Sequence, residues 1–275
     1  MESRNKTPTD NEVREHIENL RSRGNRGLAD LIEMHAFKAQ PEKRPDCPLC
    51  KDSGYTEWTQ EIGGVIYEYA EECICMKQRR EMQRLETSNL PDPTRMSLGQ
   101  FRTDQDWQIR ILDTAYRFAG WSPQAADDIP PWFYAGGHPG TGKTHVCTGI
   151  CCNLIGQGRQ VLYRIWNDVA EEMKDKRNTT AYRQTMKRLQ EVDVLYLDDF
   201  LHGSPSKASL ELAWEIVNGR YTNRKQTIFS SEHFIQEIID KDHGLGGRIH
   251  ERARGFVLGI ARDATRDYRT KGGKA

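Results

Sequence analysis

Apolar positions in this chain follow a helical period near the N-terminus, a strand-like period in the middle, and then an alternation of the two. Between about 12 and 23, Val13, Ile17 and Leu20 recur at i, i+4 and i+7, the stripe of a short helix. Gly24 and Gly27 interrupt it; Leu28, Leu31, Ile32 and His35 predict a second short helix, ended by Pro41 and Pro45. Gly63 and Gly64 separate two β-like runs, 55–59 and 65–69, the pattern of a hairpin. Residues 76–86 are charged and favour a helix, and 89–101, with Pro91, Pro93 and Gly99, read as an interdomain linker.

Beyond that linker the pattern changes. Residues 107–119 are helix-like, and Pro123, Pro130 and Pro131 punctuate a loop. Strands are expected at 132–135, 161–165, 192–197, 227–230 and 256–260, with helices near 143–156, 167–175, 179–190, 207–223, 232–240 and 246–254. Such alternation predicts an α/β fold, a mostly parallel sheet covered by helices. The expected organisation is an N-terminal helical or flexible segment over 1–45, a small module over 46–88, a linker over 89–106 and the α/β domain over 107–275.

Composition narrows the classes. In 275 residues, 40 Lys+Arg balance 40 Asp+Glu, which excludes a histone-like protein held to nucleic acid by bulk charge and an acidic disordered chain. Hydrophobic residues at 36% suffice for a core. No stretch approaches the roughly 18 uninterrupted apolar residues of a membrane span, and the first ten residues lack an apolar signal core. The expectation is a cytoplasmic protein with no membrane association. The odd cysteine count, 7, argues against a disulfide framework. Cys147, Cys151 and Cys152 fall on a predicted helix beside Val146, Ile150 and Leu154 and read as core.

The strongest chemical signal is Gly137-His138-Pro139-Gly140-Thr141-Gly142-Lys143-Thr144, which fits G-x-x-x-x-G-K-[ST] between a predicted strand and a predicted helix. Glycines let backbone N–H groups wrap a phosphate, and the helix dipole faces the same anion. Lys143 is expected on the β- and γ-phosphates of ATP and Thr144 on Mg²⁺. The apolar run 194–197 then ends in Asp198 and Asp199, acids placed where open α/β sheets bind ligands. Asp198 is the expected Mg²⁺ partner and Asp199 the residue that orients the attacking water. After the strand 227–230, Ser231 and Glu232 are candidates for contact with the γ-phosphate or its water, while a helix N-cap at Ser231 accounts for the pattern equally well. Arg248 and Arg252, four apart on one predicted helix face, suit a phosphate on a neighbouring molecule, the arginine-finger arrangement, or form a solvated basic face.

A separate pattern is Cys47-x-x-Cys50 and Cys73-x-Cys75 around the hairpin. Four thiols so spaced can meet one tetrahedral Zn²⁺, with His35 as a spare ligand, and a segment this small needs such a staple. Nothing accompanies them that would make the metal catalytic.

With these motifs the chain resembles the bacterial and phage helicase-loader family of AAA+ ATPases, the DnaC/DnaI-like group, to which the IstB transposition ATPases are related. The likeness covers most of 46–269 and rests on the cysteine module, the Asn89-Leu90-Pro91 linker, the 137–144 loop with His145, the Asp198-Asp199 pair, the 245–252 segment and Asp267-Tyr268-Arg269. It implies a P-loop AAA+ ATPase domain preceded by a zinc-binding module. It implies nucleotide contacts from Gly137, Gly140, Thr141, Gly142, Lys143, Thr144, His145, Asp198 and Ser231, Arg252 as arginine finger beside Arg248, and Arg269 as a nucleotide-sensing arginine. The family pattern departs at one place: such loaders end the 227–231 strand with Ser-Asn, and here Glu232 replaces the asparagine.

The reading is an ATP-dependent loader of a DnaB-type replicative helicase that binds single-stranded DNA and assembles side by side as a homo-oligomer. The basic segment 171–188 with Tyr182, and residues 241–275, are candidate DNA-contacting patches, although a solvated helix face accounts for the first equally well. The alternatives are an IstB-like transposition-targeting ATPase and an adaptor that holds nucleotide without significant hydrolysis.

Overall fold

The computed structural model describes residues 47–177 and 179–261, with Glu18 and Ser22 besides. The expected helices over 12–35, His35 and the segment around Arg269 lie outside the described residues. The chain divides into two compact units, one ending at Met76 and the other beginning at Lys77. Residues 77–88 and the stretch 89–106, expected as module end and linker, therefore belong to the larger unit.

The smaller unit is a hairpin over a thiol cluster. Strands β1 (Tyr55–Ile62) and β2 (Val65–Glu72) pair antiparallel through the glycine turn. The register sorts the side chains by face, because facing residues share a side. The pairs Thr56/Glu71, Trp58/Tyr69, Gln60/Tyr67 and Ile62/Val65 share one face; Tyr55/Glu72, Glu57/Ala70, Thr59/Glu68 and Glu61/Ile66 share the other. Toward the turn the first side is mainly aromatic and aliphatic, with Trp58 stacked on Tyr69 at 4.4 Å and Glu71 at its far end, and the other side carries four glutamates. Trp58, Ile62, Val65 and Tyr67 are all exposed. Helix α1 (Ile74–Ser88) begins between the two cysteines of the second pair.

The larger unit is built on five parallel strands: β3 (Phe133–Gly137), β4 (Val161–Ile165), β5 (Val194–Asp198), β6 (Gln226–Ser231) and β7 (Val257–Ile260), in the spatial order β4-β5-β6-β3-β7. The three central strands are buried at every position, as runs such as 194–198 require when helices cover both faces. Strand alternation divides the core in two. Tyr134, Leu195, Leu197 and Phe229 pack with α4 (Trp166–Asp175), α5 (Thr180–Glu191), α6 (Lys207–Thr222), α7 (Ile235–Lys241) and α8 (His243–Arg252). Phe133, Ala135, Val194, Tyr196 and Ile228 pack with α2 (Asp106–Ala119) and α3 (Lys143–Gly156). Cys147 and Cys151 lie in this second core, fully buried.

Leu98 and Phe101, from the stretch expected as a linker, are buried in the second core. Gly149 on α3 makes room for Leu98: a Cβ there would stand 2.8 Å from the Leu98 backbone nitrogen. That contact holds 97–101 against the helix that starts the phosphate loop's far side. Among the described residues, no helix is long and apolar enough to cross a membrane.

Candidate nucleotide and metal sites

The loop 138–142 joins the C-terminal end of β3 to the N-terminus of α3. Gly142 caps that helix with φ 85°, a left-handed conformation that a side chain would strain. Lys143 is buried and folds back over the loop, donating from Nζ to the carbonyls of Gly137 (2.8 Å) and His138 (2.9 Å). Burial draws its ammonium below the ordinary lysine range, opposed first by Asp199. Thr141 Oγ1 donates to the His138 carbonyl at 2.9 Å, bracing the loop, and His145 Nε2 is 2.9 Å from the Ser97 carbonyl.

Asp198 ends β5 inside a cage of hydroxyls. Thr144 (3.3 Å), Tyr196 (2.7 Å) and Ser230 donate to its Oδ1, and Tyr163 donates to Oδ2 at 3.0 Å. The Thr144 contact sets the two expected Mg²⁺ ligands side by side, so this donor set fits a hard cation that prefers oxygen. Asp199 turns the chain at φ 51°, and its N–H is accepted by Ser230 Oγ at 3.1 Å. Partial burial, then the Asp198 charge, raise the Asp199 carboxyl above its ordinary range; His202 and Lys143 act in the opposite sense.

A cavity of about 490 Å³ gathers Gly140, Gly142, Lys143, Thr144, His145, Asp199 and Glu232 with Gln100, Phe101, Arg102 and His202. Ser231, by contrast, is buried and donates to the Phe200 carbonyl at 2.7 Å, and Glu232 occupies the cavity wall in its place. Nor does Ser231 cap a helix, because α7 starts only at Ile235. Arg248 and Arg252 lie away from this cavity, stacked on aromatic rings of α6: Arg248 on Trp214 at 4.2 Å and Arg252 on Tyr221 at 4.4 Å. Their Nε atoms are buried with no hydrogen-bond partner.

The sequence pattern left out Tyr163, Tyr196, Ser230, His202 and the 100–102 segment. Tyr196 was within reach, being two residues from Asp198 on one strand face. Tyr163 was not, because it reaches the carboxylate only through its pairing opposite Tyr196.

In the smaller unit, Cys47, Cys50, Cys73 and Cys75 are buried, and their Sγ atoms all lie within 4.8 Å of one another. Cys47 and Cys73 approach to 3.7 Å and Cys50 and Cys75 to 3.4 Å. Zn–S bonds of about 2.3 Å in a tetrahedron put sulfurs roughly 3.8 Å apart, so the cluster fits zinc. Turns at Cys47–Cys50 and the Cys73 N–H to Gly54 O bond (2.8 Å) set the two pairs facing.

On the helical face of the sheet, Tyr182 donates to Glu215 Oε2 at 2.7 Å and lines a cavity of about 310 Å³ with Lys174, Arg177, Glu211 and others. The expected basic patch thus shares its space with acids of α6.

Residues 58–243 match the family model described as IstB-like ATP binding protein. The phage-like element PBSX protein XkdC of Bacillus subtilis (strain 168) is 27% identical over 224 residues, 78% of this chain and 82% of that protein. The replicative helicase loader DnaC of Escherichia coli (strain K12) is 26% identical over 200 residues, 72% of this chain and 78% of that protein. A crystal structure of DnaI superposes with a TM-score of 0.51 at 22% identity, covering 63% of this chain and 94% of that one. The α/β architecture is the AAA+ fold.

Proposed function

We propose, from the premise that this chain belongs to the IstB-like ATP-binding protein family, that it is an ATP-dependent loader of a DnaB-type replicative helicase. The observation that carries the ATPase part is the hydroxyl-caged Asp198 beside Thr144, at the mouth of a glycine loop closing on Lys143. The β- and γ-phosphates sit on the backbone N–H groups of 140–144, and Lys143 exchanges its two carbonyl acceptors for phosphate oxygens. Mg²⁺, when bound, neutralises charge on those oxygens, and Thr144 and Asp198 are the residues that hold it. Asp199, whose partial burial raises its carboxyl above the ordinary range and so makes its ionised form a stronger base, orients the attacking water and accepts a proton from it.

Arg252 completes the site of a neighbouring copy. Within its own subunit it is stacked on Tyr221 and donates to the Tyr221 carbonyl, remote from the cavity. Arg248 lies one turn away; each guanidinium gives one terminal nitrogen to a carbonyl, of Gly244 and Tyr221 respectively, and the second terminal nitrogens rather than the buried Nε atoms are the donors for a phosphate brought by another subunit. Arg269 and the stretch 262–275 extend this reading beyond the described residues. The four cysteines hold Zn²⁺, and the hairpin's apolar face with its glutamate side is the surface offered to the helicase. Single-stranded DNA lies along the exposed basic residues of α4 and α5.

The test is loading of the host's replicative helicase onto a closed single-stranded DNA circle, with and without ATP. ATP-dependent transfer supports the proposal; helicase that neither binds the protein nor reaches the circle refutes it. The family match itself favours one other reading, a transposition-targeting ATPase. That reading requires binding to duplex rather than single-stranded DNA, and competition between the two forms separates them.

A further inference from the structure

Two residues of the nucleotide cavity have no part in the chemistry above. After β5, Asp199 and Leu201 take φ values of 51° and 57°, conformations that L side chains rarely adopt. The turn is held by His202 N–H to Asp199 O (3.0 Å), by Phe200 N–H to Ser230 O (2.8 Å), and by His233 Nε2 against the carbonyls of Leu201 (3.1 Å) and Gly203 (3.0 Å). This turn brings His202 Nδ1 to 3.1 Å from Glu232 Oε2, joining the loops that follow two neighbouring strands. Both side chains line the cavity beside Lys143, Thr144 and Asp199, and neither is committed to the core.

A lone carboxylate at this place is electrostatically wrong for its ligand. Asp198 and Asp199 already put negative charge at the cavity, and a nucleoside triphosphate adds more. Paired with Glu232 through Nδ1, the ring in its imidazolium form offsets that carboxylate's charge, is fixed in orientation, and keeps Nε2–H as a second donor. We propose that His202 contacts the outer phosphate of the bound nucleotide through Nε2, and that Glu232 is the positioning residue that holds His202 for that contact. This rests on the nucleotide-site reading given above.

The experiment is a double-mutant cycle in the full chain, reading affinity for a non-hydrolysable ATP analogue and for ADP by displacement of a fluorescent nucleotide. His202→Ala removes a charged hydrogen bond to the outer phosphate only, so analogue affinity drops about 10- to 100-fold while ADP affinity holds within about twofold. Glu232→Ala weakens analogue binding in the wild-type background. In the His202→Ala background it strengthens binding, because an unpaired repelling carboxylate is removed. That reversal of sign is the signature of a positioning pair. If Glu232→Ala has the same effect in both backgrounds, or if His202→Ala weakens ADP as much as the analogue, the inference is overturned. Lys143→Ala is the control for the underlying reading: if it binds both nucleotides normally, the cavity is not the nucleotide site, and it is that reading which fails. Where an alanine variant loses thermal stability without ligand, His202→Phe keeps a ring without its donors, Glu232→Gln keeps the shape without its charge, and both are read by the same criteria.

Discussion

Tyr196 gives the most direct measure of how tightly Asp198 is held. Its ring is fully buried in the second core, and its hydroxyl donates to Asp198 Oδ1 at 2.7 Å. Burial, with Cys147 and Asp198 nearby, holds the phenol far above its ordinary range, so it remains a donor at every working pH. Tyr196→Phe removes that one donor and leaves the ring packing intact. A hydrogen bond to a charged acceptor contributes about 1.5–3 kcal/mol. Asp198 keeps its bonds to Thr144, Tyr163 and Ser230, which places the loss toward the lower figure. With a urea m-value of about 1–3 kcal/mol/M, a loss of about 1.5 kcal/mol moves the unfolding midpoint down by roughly 0.5–1.5 M. The loosened carboxylate also weakens Mg²⁺-dependent nucleotide binding by about tenfold, because 1.4 kcal/mol corresponds to a factor of ten. Chemical denaturation and nucleotide titration, each with and without Mg²⁺, read the two effects. An unchanged midpoint together with unchanged Mg²⁺ dependence refutes the argument that this hydroxyl positions Asp198.

Four more outcomes test other parts of the molecule. Protein purified without chelator contains about one zinc per chain by elemental analysis, and Cys73→Ser abolishes it while nucleotide binding survives; a metal-free sample with intact hairpin signals refutes the zinc site. Gly149→Ala pushes a methyl group to 2.8 Å from Leu98, so it lowers the melting temperature despite alanine's better helix propensity and makes 97–101 more sensitive to protease. Glu172, held down to about 2 by Lys176 and Arg164, contributes stability that is complete above the ordinary carboxylate range and disappears as pH falls toward 2, so Glu172→Gln flattens the acid limb of the stability–pH curve. Arg252→Ala binds ATP normally and loses turnover by about 10³-fold or more, and mixing it with inactive Asp199→Asn restores part of the activity; hydrolysis by Arg252→Ala at the wild-type rate shows that the arginine does not act across subunits.

The legibility of these features follows how local their determinants are. The phosphate loop, the paired acids and the hairpin turn could be read because each depends on residues within a few positions of one another. Element boundaries moved where one hydrogen bond, backbone or side-chain, took a partner that the apolar pattern does not show. The strand expected from 192 begins at Val194, because Val192 closes α5 through its N–H to the Arg188 carbonyl. The helix expected from 232 begins at Ile235, because the Ser231 hydroxyl goes to Phe200 and the Phe234 N–H is taken by Glu237 Oε2. The segment 97–101 ends the stretch 89–101, whose Pro91, Pro93 and Gly99 mark a connector, and the seating of its Leu98 depends on a gap at Gly149 that no periodicity reveals.

Arg220 is the extreme case. On α6 its sequence neighbours give it no special standing, and an arginine in a helix defaults to the surface. It is instead fully buried, with Nε on Thr227 Oγ1 (2.8 Å) and its terminal nitrogens on the carbonyls of Leu189 (2.7 Å), Val192 (3.1 Å) and Gln226. The end of α5 leaves carbonyls that no later helical turn can satisfy, and the start of β6 adds another close by. A guanidinium, with several donors in one plane, serves them together, which a lysine's compact ammonium cannot do in that geometry. The residue is therefore explained by where one helix stops and a strand begins, and that juncture sets how β5 and β6 lie side by side. Those two strands end at Asp198 and Ser231, with the Ser230 hydroxyl on Asp198 Oδ1, so the carbonyls that Arg220 gathers at one end of the sheet belong to the chain segments whose other ends carry the paired acids.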